Sequence, residues 1–383
     1  MAEAILFAAF EPSGDALAAA VIARLRALEP GRPIYALGGP RMREAGAELL
    51  EETTGHAVML AGALSQVQVH RRRLQRLREW AAEHELAAFI PVDSPAANWS
   101  VCKLVRQTQP QAKITHLVAP QLWAWAPWRI GRLRRLTDRV LCVLPFEPEY
   151  FEKRGVPAVF VGHPLFDPPP AERTLEELPD DLPRTPGTRL ALLPGSRASE
   201  IRANWPTMVE VARMMRRRDV RMEVVAAASS EANARLMRSM MPTLQRPITI
   251  LTERVDDVLQ WCDLALVVSG TATLHVAAHR RPMVALYNVK RLAWWAARWM
   301  IRTRTFTLPN LIGQWMGLGR VMPEFVPHFG QVAPIENAMD ALMRDETLRR
   351  KQVEAFERIG QAFAEPKFGE AAAREILGVV SNQ

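Results

Sequence analysis

Two short stretches of the chain carry residue types suited to gripping phosphate oxygens. In Leu190-Ala-Leu-Leu-Pro-Gly-Ser-Arg197 an apolar run that reads as a buried strand stops at Pro194-Gly195-Ser196-Arg197, where a helix starts. At such a junction the open N–H groups of the first helical turn favour an anion, and a glycine lets the backbone come close to a ligand. Gly195 suits that use, Ser196 or Ser199 can cap the helix, and Arg197 adds a planar, permanently charged fork. The second stretch, Ser269-Gly270-Thr271-Ala272-Thr273-Leu274, is another turn into a helix N-terminus, with three hydroxyls beside open backbone donors. Either stretch alone is equally an ordinary cap; together in one domain they favour a nucleotide-diphosphate site. His275, the next residue, either bonds a ribose hydroxyl or simply occupies the helix's first turn.

A different chemistry is available in the N-terminal half. Asp93 closes a strand, where a carboxylate can take a proton from a hydroxyl acceptor or, just as simply, cap the following helix. Asp15, following Ser13-Gly14, carries the same two readings. His116 and His163 also end strands, a position where a lone histidine is more often structural. Cys102, Cys142 and Cys262 lie far apart in apolar settings with no Cys/His spacing for a metal, so they read as reduced core residues of a cytoplasmic protein.

These groups need elements to hold them. Residues 4–9, 34–37, 87–92, 114–118, 140–144 and 158–161 are short apolar runs, most ending in a Gly or Pro turn ahead of a helical stretch. After residue 161 the pattern breaks, then resumes at 189–193, 222–227, 248–251, 264–268 and 283–287. Strands buried on both faces and alternating with helices predict an α/β fold with parallel sheets, and ligands on such sheets sit at the carboxyl ends of the strands. The expected organisation is a Rossmann-like domain over 1–168 and a linker over 169–187, rich in Pro, Asp and Glu. A second Rossmann-like domain over 188–360 faces the first across a cleft, and a helix over 361–383 packs back on the first domain.

Composition narrows the partners without choosing one. A chain of 383 residues, 49% hydrophobic and 23% charged, has the makings of folded domains throughout, and its net charge of +8 suits nucleic acid, an anionic membrane surface or a phosphorylated substrate. No window offers the roughly 20 apolar residues of a spanning helix, and the acidic N-terminus is unlike a signal peptide. Residues 56–78 combine Val58, Met59, Leu60, Leu64, Val67 and Val69 with Arg71, Arg72, Arg73, Arg76 and Arg78; residues 289–304 combine Trp294, Trp295 and Trp299 with Lys290, Arg291, Arg298 and Arg302. Both suit an anionic bilayer with arginines snorkelling, although a domain-packing helix with a solvated basic face is the more frequent meaning of either alone. No RNA-binding signature accompanies the charge, so no nucleic-acid partner is expected.

Several motifs occur in order along the chain: Glu11-Pro12-Ser13-Gly14-Asp15, Gly38-Gly39-Pro40-Arg41-Met42, Trp123-Ala124-Trp125, Leu144-Pro145-Phe146-Glu147-Pro148, Gly155-Val156-Pro157, Phe160-Val161-Gly162-His163-Pro164, Leu193-Pro194-Gly195-Ser196-Arg197 and Ser269-Gly270-Thr271-Ala272-Thr273-Leu274. With Leu308-Pro309-Asn310 and Pro323-Glu324, this series resembles the lipid-A-disaccharide synthase family over nearly the whole chain. The resemblance implies a two-domain GT-B glycosyltransferase. The implied inverting reaction joins UDP-2,3-diacylglucosamine to 2,3-diacylglucosamine 1-phosphate, releases UDP, and needs no cofactor or metal. It implies Asp93 as base and a UDP-sugar site at Gly195, Ser196, Arg197, Ser269, Gly270, Thr271, Ala272, Thr273, His275 and Asn310. Ser13, Gly14 and Asp15 fall on the acceptor side, and the enzyme is placed peripherally on the inner face of the cytoplasmic membrane. The chain departs from the family pattern at Phe10, Ala96, Ala126-Pro127, Asn288 and, most of all, His275, where a ribose-holding Glu is expected. A rival reading therefore keeps sugar-nucleotide or glycolipid binding at a membrane without the standard transfer, or with another donor or acceptor.

Overall fold

The computed structural model describes residues 3–54, 63–242, 246–297, 300–301 and 303–381. The chain forms two compact units: Met1–Asp167 with Phe363–Gln383, and Pro168–Ala362.

In the first unit seven strands form one parallel sheet: β1 Ala4–Ala8, β2 Ile34–Gly38, β3 Glu48–Glu52, β4 Leu86–Pro91, β5 Lys113–Leu117, β6 Arg139–Cys142 and β7 Ala158–Phe160. Their order is β3-β2-β1-β4-β5-β6-β7, with Ala8 paired to Leu37 on one side and to Pro91 on the other. β1 and β4 are buried along their whole length, because uniformly apolar strands are stable only when both faces are covered. One covering helix, Pro12–Leu28, turns Ala18, Val21, Ile22 and Leu25 inward. The C-terminal helix Phe368–Ser381 packs against it, and Gly369 allows the approach: a Cβ there would lie 3.2 Å from the Ala20 carbonyl oxygen. The chain ahead of that helix is held by Phe363, stacked on Phe166 at 4.3 Å between ring centres, and Arg139 pairs with Glu375.

The second unit repeats the plan with β8 Arg189–Leu193, β9 Glu223–Ala228, β10 Thr249–Thr252, β11 Leu264–Val268, β12 Met283–Asn288 and β13 Glu324–His328 in the parallel order β10-β9-β8-β11-β12-β13. Trp205, Met208 and Met215 of helix Ala198–Arg218 pack with Leu190, Leu266 and Met339 in its core. Strands β3 and β13 were not expected from the sequence. Both are edge strands with half-exposed residues, so neither has the continuous apolar run that marks a central strand.

Residues 169–187 are not a bare linker. Leu178 and Leu182 are buried, Trp261 Nε1 donates to the Pro183 carbonyl at 2.8 Å, and Arg173 and Arg254 pair with Asp257 and Asp181. The segment is thereby part of the second unit.

Each sheet changes its direction of progress once, between β1 and β4 and between β8 and β11. Loops leaving such neighbours splay apart at their carboxyl ends, where α/β sheets take their ligands. Asp93 follows β4, Ser13-Gly14 follows β1, the Gly195 turn follows β8 and the Gly270 turn follows β11. Among the described residues no helix is long and apolar enough to cross a membrane.

Candidate active site

In the second unit the β8 turn depends on Gly195, whose φ of +104° is unfavourable for a residue with a side chain. A Cβ there would also lie 2.6 Å from Glu200 Oε2. Neither Ser196 nor Ser199 caps the helix, contrary to the sequence reading. Glu200 reaches back instead, accepting from the Ser196 and Arg197 backbone N–H groups at 3.2 and 3.3 Å, so the anion at this helix start is the chain's own carboxylate. Arg197 Nη1 lies 3.4 Å from the other Glu200 oxygen with its side chain 68% exposed. The Ser196 carbonyl is tied down by Asn233 Nδ2 at 2.7 Å. Burial and the Glu200 charge push the nearby Tyr287 hydroxyl above its ordinary pKa.

The β11 turn uses its hydroxyls differently from expectation. Ser269 Oγ donates to the Phe306 carbonyl and Thr273 Oγ1 to the Gly270 carbonyl, each at 2.8 Å, so both hydroxyls fix the turn. Gly270 and Thr271 stay exposed, with Ala272 behind them, and this first turn of helix Thr271–Ala278 presents backbone donors to solvent.

Two expected ligand contacts are redirected. His275 Nε2 lies 2.8 Å from Asp256 Oδ1, and His279 Nε2 lies 2.9 Å from the same oxygen, so His275 is not a free ribose contact. Bonds from His275 and His279 hold the Asp256 carboxyl well below the usual range, and burial lowers His279. Asn310 is fully buried and spends its whole amide internally: Nδ2 donates to the Met322 carbonyl and to Glu324 Oε2, while Oδ1 accepts from Val321 and Met322 N–H, all within 2.8–3.1 Å. Glu324 in turn accepts from Thr307 N and Oγ1 at the start of helix Leu308–Trp315. The two C-terminal motifs are one structural knot. Asn288 has a similar job, with its Nδ2 on Thr207 Oγ1 and the Ala203 carbonyl.

In the first unit Asp93 and Ser94 have φ values of +45° and +30°, a left-handed conformation that non-glycine residues adopt at a cost. Asn98, fully buried, holds this turn by donating from Nδ2 to the Val92 and Asp93 carbonyls at 3.1 Å. Strain of this kind persists only where the surroundings over-determine it, as Asn98 does here. Gly14 fits close behind, since a Cβ there would lie 3.1 Å from Ala9 Cβ and 3.6 Å from Val92, while Ser13 is exposed. Asp15 does not serve the acceptor side: buried, it accepts from the Gly39, Arg41 and Met42 N–H groups at 3.0–3.1 Å and anchors the next helix start.

Other polar candidates are structural. His163 Nδ1 accepts from Leu165 N and caps a short turn. His116 is completely buried, neither ring nitrogen has a hydrogen-bond partner, and burial lowers its pKa to about 4. Glu147 accepts from Trp123 Nε1 at 3.0 Å and Leu144 N at 3.1 Å, joining two sequence motifs, and burial raises its carboxyl to about 8. The cysteines are free and buried.

Beside the Asp93 turn lies a feature the sequence reading missed. Ala96, Trp99, Ser100, Lys103, Arg132 and Arg135 line a hollow of about 580 Å³. Arg129 and Arg132 stack on Trp99 at 5.5 and 4.8 Å, and Trp125 and Trp128 are exposed nearby in sequence. The signal was available in the Arg129, Arg132, Arg135 spacing of three, but its partner Trp99 comes from another helix. Of the basic segments, residues 56–62, 298, 299 and 302 lie outside the described residues. Arg71, Arg72 and Arg78 are exposed, whereas Arg73 is buried in a two-donor bond to Glu51 and is structural. Leu292 and Trp295 are exposed, 79% and 58%.

Two parallel α/β units, each with its loops at a sheet switch point, define the GT-B fold of glycosyltransferases. The chain is similar to Staphylococcus aureus MnaA in complex with UDP, at 12% identity, a TM-score of 0.66, and coverage of 98% of this chain and 95% of that one. It is also similar to a glycosyltransferase from Rickettsia africae, at 12% identity and a TM-score of 0.57, covering 100% and 98%. Residues 5–374 match the lipid-A-disaccharide synthetase family, and the chain is 30% identical to the lipid-A-disaccharide synthase of Geobacter sulfurreducens over 98% of its own length and 96% of the relative's. The chain belongs to that family: it is a hexosyltransferase of lipid A biosynthesis.

Proposed function

We propose that the protein transfers the acylated glucosamine of UDP-2,3-diacylglucosamine to 2,3-diacylglucosamine 1-phosphate, inverting the anomeric carbon and giving lipid A disaccharide 1-phosphate and UDP. The observation that carries this reading is the strained, Asn98-held turn that presents Asp93 at the switch point of the first unit's sheet. Asp93 takes the proton of the acceptor hydroxyl as its oxygen attacks the anomeric carbon, and the bond to the UDP oxygen breaks. The second unit holds the departing diphosphate with the backbone donors of Gly270–Ala272 and with Arg197, whose exposed guanidinium is within reach of its Glu200 tether. Lys103, Arg132 and Arg135 suit the acceptor's 1-phosphate. Exposed Arg71, Arg72 and Arg78 of the first unit, and separately Leu292 and Trp295 of the second, each suit an anionic bilayer surface from which both acylated sugars are drawn.

The test is release of UDP by purified protein given both diacyl sugars in detergent. Release that requires both, with a disaccharide product by mass spectrometry, supports the reading. No product with these substrates, while UDP still binds, removes it.

A further inference from the structure

Asp256 stands in the first turn of helix Val255–Trp261, and His275 and His279 are four residues apart at helix Thr271–Ala278 and its C-cap. That spacing puts both imidazoles on one side, one turn apart, facing the helix that carries Asp256. Both aim the same atom, Nε2, at the same carboxylate oxygen, at 2.8 and 2.9 Å, with ring centres 5.4 Å apart. The three donor atoms all lie within 4.8 Å of one another. A packing histidine seldom needs a second histidine converging on its acceptor. Two imidazole nitrogens and a carboxylate oxygen meeting at one point are instead a donor set for a divalent transition ion.

We propose that Asp256, His275 and His279 form a binding site for a divalent transition-metal ion of the zinc type. A tetrahedral ion with bonds of about 2.0–2.1 Å sets neighbouring donors roughly 3.4 Å apart, so each histidine nitrogen parts from the Asp256 oxygen by about half an ångström, and the two nitrogens, now within 4.8 Å of each other, settle to the same spacing. Asp256 can provide that movement, because its side chain is 62% exposed while those of His275 and His279 are 19% and 2% exposed. Buried His279 and partly exposed His275 supply the less mobile side and the exposed carboxylate a movable third ligand, leaving the solvent side for water or an incoming oxygen ligand. The site does not depend on the transfer reaction proposed above, and its failure would leave that reaction standing.

The experiment uses the full chain with its purification tag removed, stripped with chelator, then titrated with Zn²⁺ against a chromophoric chelator and with Co²⁺ by visible spectroscopy. The expected result is one Zn²⁺ withheld per chain, a Co²⁺ ligand-field band, and a Zn²⁺-dependent rise in melting temperature. Asp256→Asn and His275→Gln, both at partly exposed positions, should remain folded without metal, with a cooperative melt and wild-type far-ultraviolet circular dichroism. Each should weaken Zn²⁺ binding by roughly 10- to 100-fold or more, the loss that even supporting residues of metal sites produce. His70→Gln, a histidine that pairs with Ser100 elsewhere, should bind as wild type does. Zn²⁺ taken up by none of these proteins, or by wild type and the two site variants alike, would overturn the assignment.

Discussion

Asn310→Ala separates a ligand contact from a structural knot. The substitution removes four hydrogen bonds at a fully buried position and leaves the Val321 and Met322 N–H groups without acceptors. It also takes one donor from Glu324, a carboxylate whose side chain is only 2% exposed. Orphaning a buried Met322 donor and a part-buried Val321 donor costs about 1–3 kcal/mol each, and with the lost Glu324 and Met322 carbonyl bonds the total is on the order of 3–5 kcal/mol. In a unit of this size each kcal/mol lowers the melting temperature by roughly 2–4 °C, which predicts a fall of about 6–20 °C in the second unit's transition. Asn310→Asp should fall as well: it keeps both acceptors but sets a second carboxylate where Nδ2 now lies 3.1 Å from Glu324 Oε2. Differential scanning calorimetry measures the transition, and titration calorimetry well below it measures UDP affinity, expected within about twofold of wild type. A melting temperature within ~2 °C of wild type combined with lost UDP binding would refute the reasoning and return Asn310 to the ligand site.

Three further outcomes are expected. Arg197→Ala should weaken UDP binding by roughly 10- to 100-fold through loss of a charged contact, with unchanged melting because the side chain is exposed; equal UDP affinity by calorimetry would remove Arg197 from the site. His116 titrates near 4 in the folded chain against an ordinary 6.5, so the unfolded chain binds its proton first; the associated stability is full above pH 6.5 and is lost as pH falls through 4, roughly 3 kcal/mol in all. His116→Leu should flatten urea-unfolding stability between pH 7 and 4, and an unchanged slope would contradict this. Changing Arg71, Arg72 and Arg78 to Ser should give a salt-sensitive loss of sedimentation with anionic vesicles, each arginine contributing about 1 kcal/mol, whereas equal sedimentation would assign that face to something else.

The parallel sheets were legible because β1, β4, β8 and β11 are apolar on both faces and end in Gly, Pro or Asp turns. The edges were not: Glu48–Glu52 and Glu324–His328 bury little, so local composition resembles a loop. The same limit governs the site. Gly195, Gly270 and Asp93 stand out because turn chemistry is local, and the structure places them at the switch points. What Asn310, Asp15 and His275 do is decided by Glu324, Gly39 and Asp256, which lie 14 to 24 residues away along the chain. A polar residue near a helix start looks the same in sequence whether a ligand or a neighbouring segment takes its hydrogen bonds. Residues 169–187 misled for the converse reason: without a period, nothing local announces that Leu178 and Leu182 are buried.

The central claim is that Asp93 is the base of a sugar transfer, and Asp93→Asn tests it most directly, with UDP release from both diacyl sugars measured beside UDP affinity. The account predicts a rate lower by ~10²–10⁴-fold, the usual contribution of a positioned base, with UDP affinity unchanged because the turns proposed to hold the nucleotide belong to the other unit. Transfer by Asp93→Asn as fast as by wild type would contradict it.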